Sequence, residues 1–257
     1  MSLSLGIGLG LTHGSKGFSL LDLFAAGEVG AWLDPSDLTT LWQDTLKTVP
    51  VTSDGDSVKV MEDKSGNGFH FATTLDANRP TYKTSGGKHW LLFDGVSDNL
   101  GYNYVPGGLL NGGGCMAAAF RATSDLTVGG VMDEWLITDS NWHSVLFSDT
   151  RNTSFRHSNY APDGTPRFIS HSTKQDTSNY VSIFNSDGTD GVGYSGNTSL
   201  GSVSTTADTL TDTVLTVGRQ TIGDLYFSGR FYGGIFRDTH LTVNERTELN
   251  SFLTGKM

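Results

Sequence analysis

The chain has 257 residues and a formal net charge of −10, from 17 Lys and Arg against 27 Asp and Glu. Such a charge repels phosphate backbones, so nucleic acid is not expected as a partner. The hydrophobic fraction of 36% and the 33 glycines exclude a mostly disordered chain. The single cysteine, Cys115, leaves no intramolecular disulfide and no cysteine zinc site, which fits folding in a reducing cytoplasm.

A membrane partner is not expected either. No apolar run approaches the roughly 20 residues that span a bilayer. The first residues also lack the basic stretch that begins a secretory signal. The sequence therefore gives no indication of membrane insertion or secretion.

The first segment alternates apolar and small residues, as a β-strand does. The apolar positions are Leu3, Leu5, Ile7, Leu9 and Leu11. Such a strand cannot bury its apolar face alone, so we expect it to pair with another chain and attach the protein to an assembly. The alternative is that it forms the first strand of its own sandwich. Ser19 then predicts the cap of a short helix that ends near Gly27, and residues 1–29 are predicted to be an N-terminal arm.

The remainder, residues 30–257, consists of short apolar runs separated by turn pairs such as Asp54-Gly55 and Asp187-Gly188. The runs are four or five residues long and rich in β-branched and aromatic residues, at 89–93, 144–147, 180–184 and 214–217. Parallel strands would need crossover helices of about a dozen residues, which the pattern lacks. We therefore predict one all-β domain, an antiparallel β-sandwich.

One helix is predicted at the end of the chain. Thr242 and Glu245 have the spacing of a capping box, in which each side chain accepts a hydrogen bond from the backbone N–H of the other residue. Leu249, Phe252 and Leu253 would then form an apolar face that docks on the sandwich. Gly255 is the expected end of the helix.

Three stretches contain distinctive turns and strand ends. The first, residues 31–44, contains an Asp-Pro-Ser-Asp turn. The second, at residues 63–70, 78–80 and 90–98, contains an Asp-x-Ser-Gly-Asn turn and a Phe-Asp-Gly strand end. The third, residues 228–236, precedes the capped helix. Together they resemble a recurrent type of phage structural protein, a family with a concanavalin A-like, laminin-G-like lectin/glucanase sandwich. The resemblance implies a jelly roll of the kind found in sugar-binding domains, some glucanases and adhesion or decoration modules of virions.

Glucanases of this fold place catalytic carboxylates on alternate residues of one strand. The nearest acidic cluster here is Asp133-Glu134 beside Trp135, but adjacent residues of a strand point to opposite faces. We expect a solvated loop at this point, no catalytic residue and no enzymatic activity.

No metal site is predicted, because the seven histidines lack the spacing of a zinc site. Calcium is kept as an alternative, and its oxygen ligands would come from Asp94, Asp98 and Asn99, or from Asp187 and Asp190. The competing interpretation is that these residues are ordinary turn formers. The expected cofactor is therefore none, with calcium as the alternative.

Two tryptophans, Trp135 and Trp142, flank a polar turn at residues 138–141. An aromatic residue beside such a turn is suited to stacking on a sugar ring or to contacting another chain. Packing in the core is the other interpretation of each. They are the candidate ligand-binding residues.

The preferred hypothesis is a non-enzymatic phage virion protein, a lectin-like module displayed on the capsid or tail. Its partners would be other virion proteins, bound through the N-terminal arm, and it would be oligomeric on a particle assembled in the host cytoplasm. The alternative is a carbohydrate-binding adhesin that binds host surface glycans during attachment. A glycan-degrading enzyme is the third hypothesis.

Overall fold

Short strands follow one another along the chain, as the spacing of apolar runs and turn residues predicts. The computed structural model describes residues 17–106, 108–110, 113–122, 129–136, 142–148, 154–160, 166–174, 178–205, 212–220 and 225–257. The strands are β1 (Gly30–Leu33), β2 (Leu41–Trp42), β3 (Val60–Met61), β4 (Phe71–Ala72), β5 (Thr81–Ser85), β6 (Lys88–Asp94), β7 (Leu100–Pro106), β8 (Gly114–Ala122), β9 (Gly129–Leu136), β10 (Trp142–Ser148), β11 (Ser154–Tyr160), β12 (Pro166–Lys174), β13 (Tyr180–Ser186), β14 (Asp190–Ser195), β15 (Thr198–Ser204), β16 (Asp212–Val217), β17 (Arg219–Gln220), β18 (Leu225–Tyr226) and β19 (Ser228–Arg237). The helices within these ranges are the α-helix α1 (Val243–Lys256) and 3-10 turns at Leu20–Phe24, Leu38–Thr40 and Asp76–Asn78.

The strands form two large sheets. Sheet A has the order β15-β14-β13-β8-β19-β6-β5, with β1 also paired to β19. Sheet B has the order β12-β11-β10-β9-β16-β7-β4-β3-β2, and β17 and β18 form a separate ribbon. Every strand pairing in the described residues is antiparallel. The prediction of an antiparallel β-sandwich is confirmed.

The main core lies between the two sheets. Phe120 of β8 and Phe231 of β19 contribute from sheet A, and Leu215 and Val217 of β16 contribute from sheet B. All four side chains are fully buried. Burying one such side chain stabilises the fold by about 1.5–3 kcal/mol, so this interface holds the sheets together.

A second apolar cluster covers the outer face of sheet A. Leu20 and Leu23 of the first 3-10 turn and Leu249 and Leu253 of α1 pack there against residues of β8, β13 and β19. Both predicted N-terminal caps are confirmed, because Ser19 and Thr242 each form a capping box. The described part of the predicted arm, residues 17–29, therefore lies against the sandwich. No helix among the described residues is long and apolar enough to span a bilayer.

The predicted end of α1 at Gly255 is wrong, because the helix continues to Lys256. The ammonium group of Lys256 donates to both carboxylate oxygens of Asp34, at 2.9 and 2.8 Å, and to Ser36 Oγ at 2.7 Å. Asp34 is only 3% exposed. This buried ion pair holds the last turn of the helix in place.

Arg237, at the end of β19, joins three parts of the chain. Its guanidinium contacts the carboxylates of Glu28 and Glu245 at 3.0 and 3.2 Å, and donates to the His240 carbonyl at 3.3 Å. Burial opposes ionisation of Glu28, but backbone hydrogen bonds and Arg237 hold the pKa of this carboxyl below its usual value. The arginine thus ties the N-terminal segment and the start of α1 to sheet A.

Candidate functional site

A groove lies on the outer face of sheet B, where β4, β7 and β16 are neighbours. Its volume is about 230 Å³. In β16 the fully buried Leu215 faces the core, while the flanking Val214 and Thr216 line the groove. The complete lining is Ala72, Thr73, Thr74, Asn99, Gly101, Asn103, Val214, Thr216 and Arg219. Hydroxyl, amide and guanidinium groups therefore surround a small apolar floor.

Backbone contacts hold the groove residues in place. Thr216 Oγ1 donates to the carbonyl of Arg219 at 2.7 Å, and the guanidinium of Arg219 lies 5.8 Å from the ring of Tyr226. Asn99 donates its backbone N–H to the Asn78 carbonyl at 3.0 Å. A groove anchored in this way needs little reordering to accept a ligand.

Gly101 keeps the groove open. It pairs with Thr216 on one side and with Ala72 on the other. A Cβ atom at this position would lie 3.1 Å from the Leu215 carbonyl oxygen and 3.4 Å from Thr216 Cγ2. A side chain here would therefore crowd the groove.

The strand register places the predicted tryptophan pair beside this groove. Trp135 of β9 pairs with Trp142 of β10, and on its other side Trp135 pairs with Val214 of β16. Residues paired directly across antiparallel strands lie on the same face of a sheet. Both tryptophan positions thus lie on the outer face of sheet B. Their role in ligand binding stays a prediction.

The expectation of a solvated loop at Asp133-Glu134 is wrong. Both residues lie in β9, and Glu134 is fully buried on the core side. Its carboxylate accepts hydrogen bonds from the backbone N–H groups of Leu109 and Leu110, at 2.5 and 3.0 Å, and from Thr213 Oγ1 at 2.8 Å. The acidic group binds the backbone that follows β7, a structural role that the sequence did not reveal.

The aspartates proposed as calcium ligands form turn hydrogen bonds. Asp94 Oδ1 accepts the backbone N–H groups of Val96, Ser97 and Asp98, at 2.8, 2.9 and 3.0 Å. Burial, together with the nearby Asp94 carboxylate, raises the pKa of Asp98 to about 7. Calcium at this turn stays a prediction.

The second candidate pair also forms a turn, in which Asp187 Oδ1 accepts the backbone N–H groups of Thr189 and Asp190 at 2.8 and 2.9 Å. Within the described ranges, no group of three His, Cys, Asp or Glu side chains is arranged to hold a metal ion. Calcium at Asp187 and Asp190 likewise stays a prediction.

The apolar positions of the predicted attachment strand, Leu3, Leu5, Ile7, Leu9 and Leu11, lie outside the described residues, as does the polar turn at 138–141. The groove residues were missed by sequence reasoning. They come from the chain segments 72–74, 99–103 and 214–219, which only the sheet order brings together. The one local signal was the Val-Leu-Thr-Val alternation of β16.

No protein-family model and no curated protein matches this chain. Solved structures share its fold. Domain 4 of AbnA, a GH43 extracellular arabinanase from Geobacillus stearothermophilus solved in complex with arabinotriose, superposes with a TM-score of 0.57 at 13% identity, covering 77% of this chain and 100% of that one.

Two further similar structures come from longer chains. Trypanosoma rangeli sialidase has a TM-score of 0.56 at 14% identity, and the match covers 90% of this chain and 34% of the sialidase. The binding domain of botulinum neurotoxin serotype G has a TM-score of 0.56 at 10% identity, and the match covers 75% of this chain and 48% of that one. At these identities the likeness shows a common β-sandwich fold.

Proposed function

We propose that this chain is a non-enzymatic carbohydrate-binding domain whose ligand lies on the outer face of sheet B. The observation that carries the proposal is the groove beside the Trp135 and Trp142 positions. Sugars offer hydroxyl groups, which amides and hydroxyls bind, and apolar C–H faces, which aromatic rings cover. The same sheet face carries both kinds of residue.

The role of Glu134 supports the non-enzymatic part of the proposal. A glycosidase acid or base must reach the glycosidic bond or a water molecule beside it. The Glu134 carboxylate instead lies in the core and accepts two backbone N–H groups and a hydroxyl. The Glu134 carboxylate stabilises the backbone after β7, on the side of the sheet opposite to the groove.

The similar structures agree with a sugar ligand. The arabinanase domain was solved with arabinotriose, and the second similar protein is a sialidase. Their folds are like this one at low identity, so they support the class of ligand and not a particular sugar.

A glycan array of the full chain tests the proposal, followed by calorimetric titration of the strongest binder. Trp135→Ala and Trp142→Ala should each weaken binding about tenfold, because each removes one stacking surface. Asn103→Ala should weaken binding about two- to tenfold through a lost hydrogen bond. Asn103 is exposed, and Asn244 of α1, which is also exposed, gives the matched control, Asn244→Ala.

Two results would contradict carbohydrate binding on this face. One is an array on which no glycan binds above background. The other is a bound glycan whose affinity Asn103→Ala, Trp135→Ala and Trp142→Ala leave equal to that of Asn244→Ala. Release of reducing sugar from a bound polysaccharide would instead contradict the non-enzymatic assignment.

We further propose that the domain serves as a virion structural protein, attached to the capsid or tail through its N-terminal segment. The resemblance of residues 31–44, 63–98 and 228–236 to phage structural proteins supports this role. So does geometry: Leu20 and Leu23 pack on the outer face of sheet A, and the groove lies on the outer face of sheet B. A chain attached by that segment would present the groove away from the particle.

A further inference from the structure

A second cleft lies on the opposite side of the sandwich, between the β5–β6 hairpin and the end of α1. Its volume is about 610 Å³, within the range of about 300–1,000 Å³ that small-molecule sites occupy. The residues that line it are Ser36, Gly87, Lys88, His89, Ser251, Phe252, Gly255 and Lys256. Three of these carry basic groups, and none of the lining residues is acidic, although the chain as a whole has a net charge of −10.

Neighbouring residues fix the basic groups in position. Lys88 Nζ donates to the Gly255 carbonyl at 2.8 Å, and His89 Nδ1 shares a hydrogen bond of 2.6 Å with the hydroxyl of the buried Tyr82. Lys256 Nζ lies 4.7 Å from the centre of the Phe252 ring. The walls belong to a strand pair and a helix end, so the cleft is preorganised.

The charges of the two lysines are balanced differently. Lys256 forms a buried ion pair with Asp34, and its three N–H groups have three acceptors. Lys88 forms its hydrogen bond with a neutral carbonyl, and no described carboxylate lies within ion-pair distance of it. One positive charge, with two remaining N–H donors, is therefore left for a ligand.

The other lining groups suit a small polar molecule. Ser36 Oγ donates to Asp34 and Ser251 Oγ donates to the Thr247 carbonyl, so both hydroxyl oxygens can still accept a hydrogen bond from a hydroxyl group of a ligand. The half-buried ring of Phe252 gives an apolar surface, held edge-on by Trp32 at a centroid distance of 6.0 Å. A cation for the oxyanion, hydroxyl oxygens that accept hydrogen bonds and one apolar surface suit an oxyanion carried on a compact polar body.

We propose that this cleft is a second binding site, for a small ligand that carries a carboxylate or phosphate group, with Lys88 as the residue that binds the oxyanion. The site lies on the sheet A side and shares no residue with the groove of sheet B. Its existence therefore does not depend on carbohydrate binding at that groove.

The test is an NMR titration of the full chain with three probes: sodium glucuronate, inorganic phosphate and glucose. We expect glucuronate or phosphate to shift the amide signals of Lys88, His89 and Phe252 saturably, and glucose to leave them unchanged. Saturation by glucuronate alone identifies a carboxylate ligand, and saturation by phosphate alone identifies a phosphate ligand. Binding should weaken as sodium chloride rises from about 50 to about 500 mM, because the charge is close to solvent.

Variants of Lys88 separate specific binding from general attraction. Lys88→Gln should weaken binding about tenfold, the value of one charge-assisted hydrogen bond, and Lys88→Arg should stay within about threefold of the original chain. Lys47→Gln is the matched control, since Lys47 does not line this cleft and pairs with Glu62. Ser251→Asp, at an exposed position, should abolish binding by repulsion.

The proposal is overturned if neither anion shifts these signals saturably, or if Lys88→Gln and Lys47→Gln bind equally well. Equal shifts from glucose would also overturn it, because the oxyanion would then contribute nothing. Each variant's melting temperature is measured first. If Lys88→Gln is unfolded, Ser251→Asp on the other wall of the cleft is used instead, and anion binding that this variant leaves unchanged would overturn the proposal.

Discussion

Replacing Glu134 with Gln should destabilise the protein, because one amide cannot replace two carboxylate oxygens. Oε1 accepts the Leu109 N–H and the Thr213 hydroxyl, and Oε2 accepts the Leu110 N–H. Glutamine offers one oxygen and one NH₂ group. Whichever way the amide is turned, its NH₂ group faces a backbone N–H, and that buried donor loses its acceptor.

The magnitude follows from the lost hydrogen bond. A buried donor left without a partner costs about 1–3 kcal/mol, and the remaining bonds lose the strength that the charge gives them. We therefore expect the free energy of unfolding to fall by about 2–4 kcal/mol. A domain of this size loses about 2–4 °C of melting temperature per kcal/mol, so the change is large enough to measure by calorimetry.

The assay is urea unfolding followed by tryptophan fluorescence, with Glu248→Gln as the control. Glu248 is exposed on α1, and its replacement should change stability by no more than about 0.5 kcal/mol. If Glu134→Gln is as stable as Glu248→Gln, the carboxylate does not hold the backbone after β7. If Glu134→Gln is stable and abolishes cleavage of a polysaccharide, Glu134 is catalytic and the reasoning above is refuted.

Leu253→Ala should cost about 2–5 kcal/mol of stability, because Leu253 is buried between α1 and sheet A, whereas Val243→Ala at a 66% exposed position should cost little. Burial raises the pKa of Asp98 from 3.8 to about 7. The contribution of the Asp98 carboxyl to the free energy of unfolding is therefore complete below about pH 4 and is lost as pH rises through 7. Asp98→Asn should therefore be more stable than the original chain, by a larger margin at about pH 8 than at about pH 5. Equal margins at the two pH values in urea unfolding would contradict the raised pKa. Changing Leu5 and Leu9 to Asp should remove the protein from purified virions while leaving its melting temperature unchanged, and normal incorporation measured by mass spectrometry would refute attachment through this segment.

The sequence predicted the features whose causes are local. The cap at Ser19 and the capping box of Thr242 and Glu245 depend on residues at most three positions apart, and both are present. The antiparallel arrangement followed from the short runs and the absence of crossover helices between them. These signals lie within a few residues, where backbone hydrogen bonding and alternation act directly.

Features that depend on distant partners were not predictable in the same way. Glu134 is buried because the backbone N–H groups of Leu109 and Leu110, more than 20 residues earlier, need an acceptor. The helix passes Gly255 because Lys256 reaches Asp34 at the other end of the chain. Two adjacent charged residues predict exposure to solvent, and only the fold shows that the hydrogen-bond partners of Glu134 lie in the core.

The two sheets differ in how many of their faces are covered, and the sequences of their strands reflect this difference. In β8 of sheet A, Gly114 to Phe120 are buried without interruption, because the core covers one face and the helices cover the other. In β16 of sheet B, the apolar Leu215 and Val217 face the core, and the alternating Val214 and Thr216 line the groove on the opposite face. A strand covered on both faces has no side chains left for a ligand, whereas an alternating strand presents every second residue outward. We therefore place the proposed glycan site on the outer face of sheet B, and the proposed oxyanion site at the Lys88 cleft, where α1 ends beside sheet A.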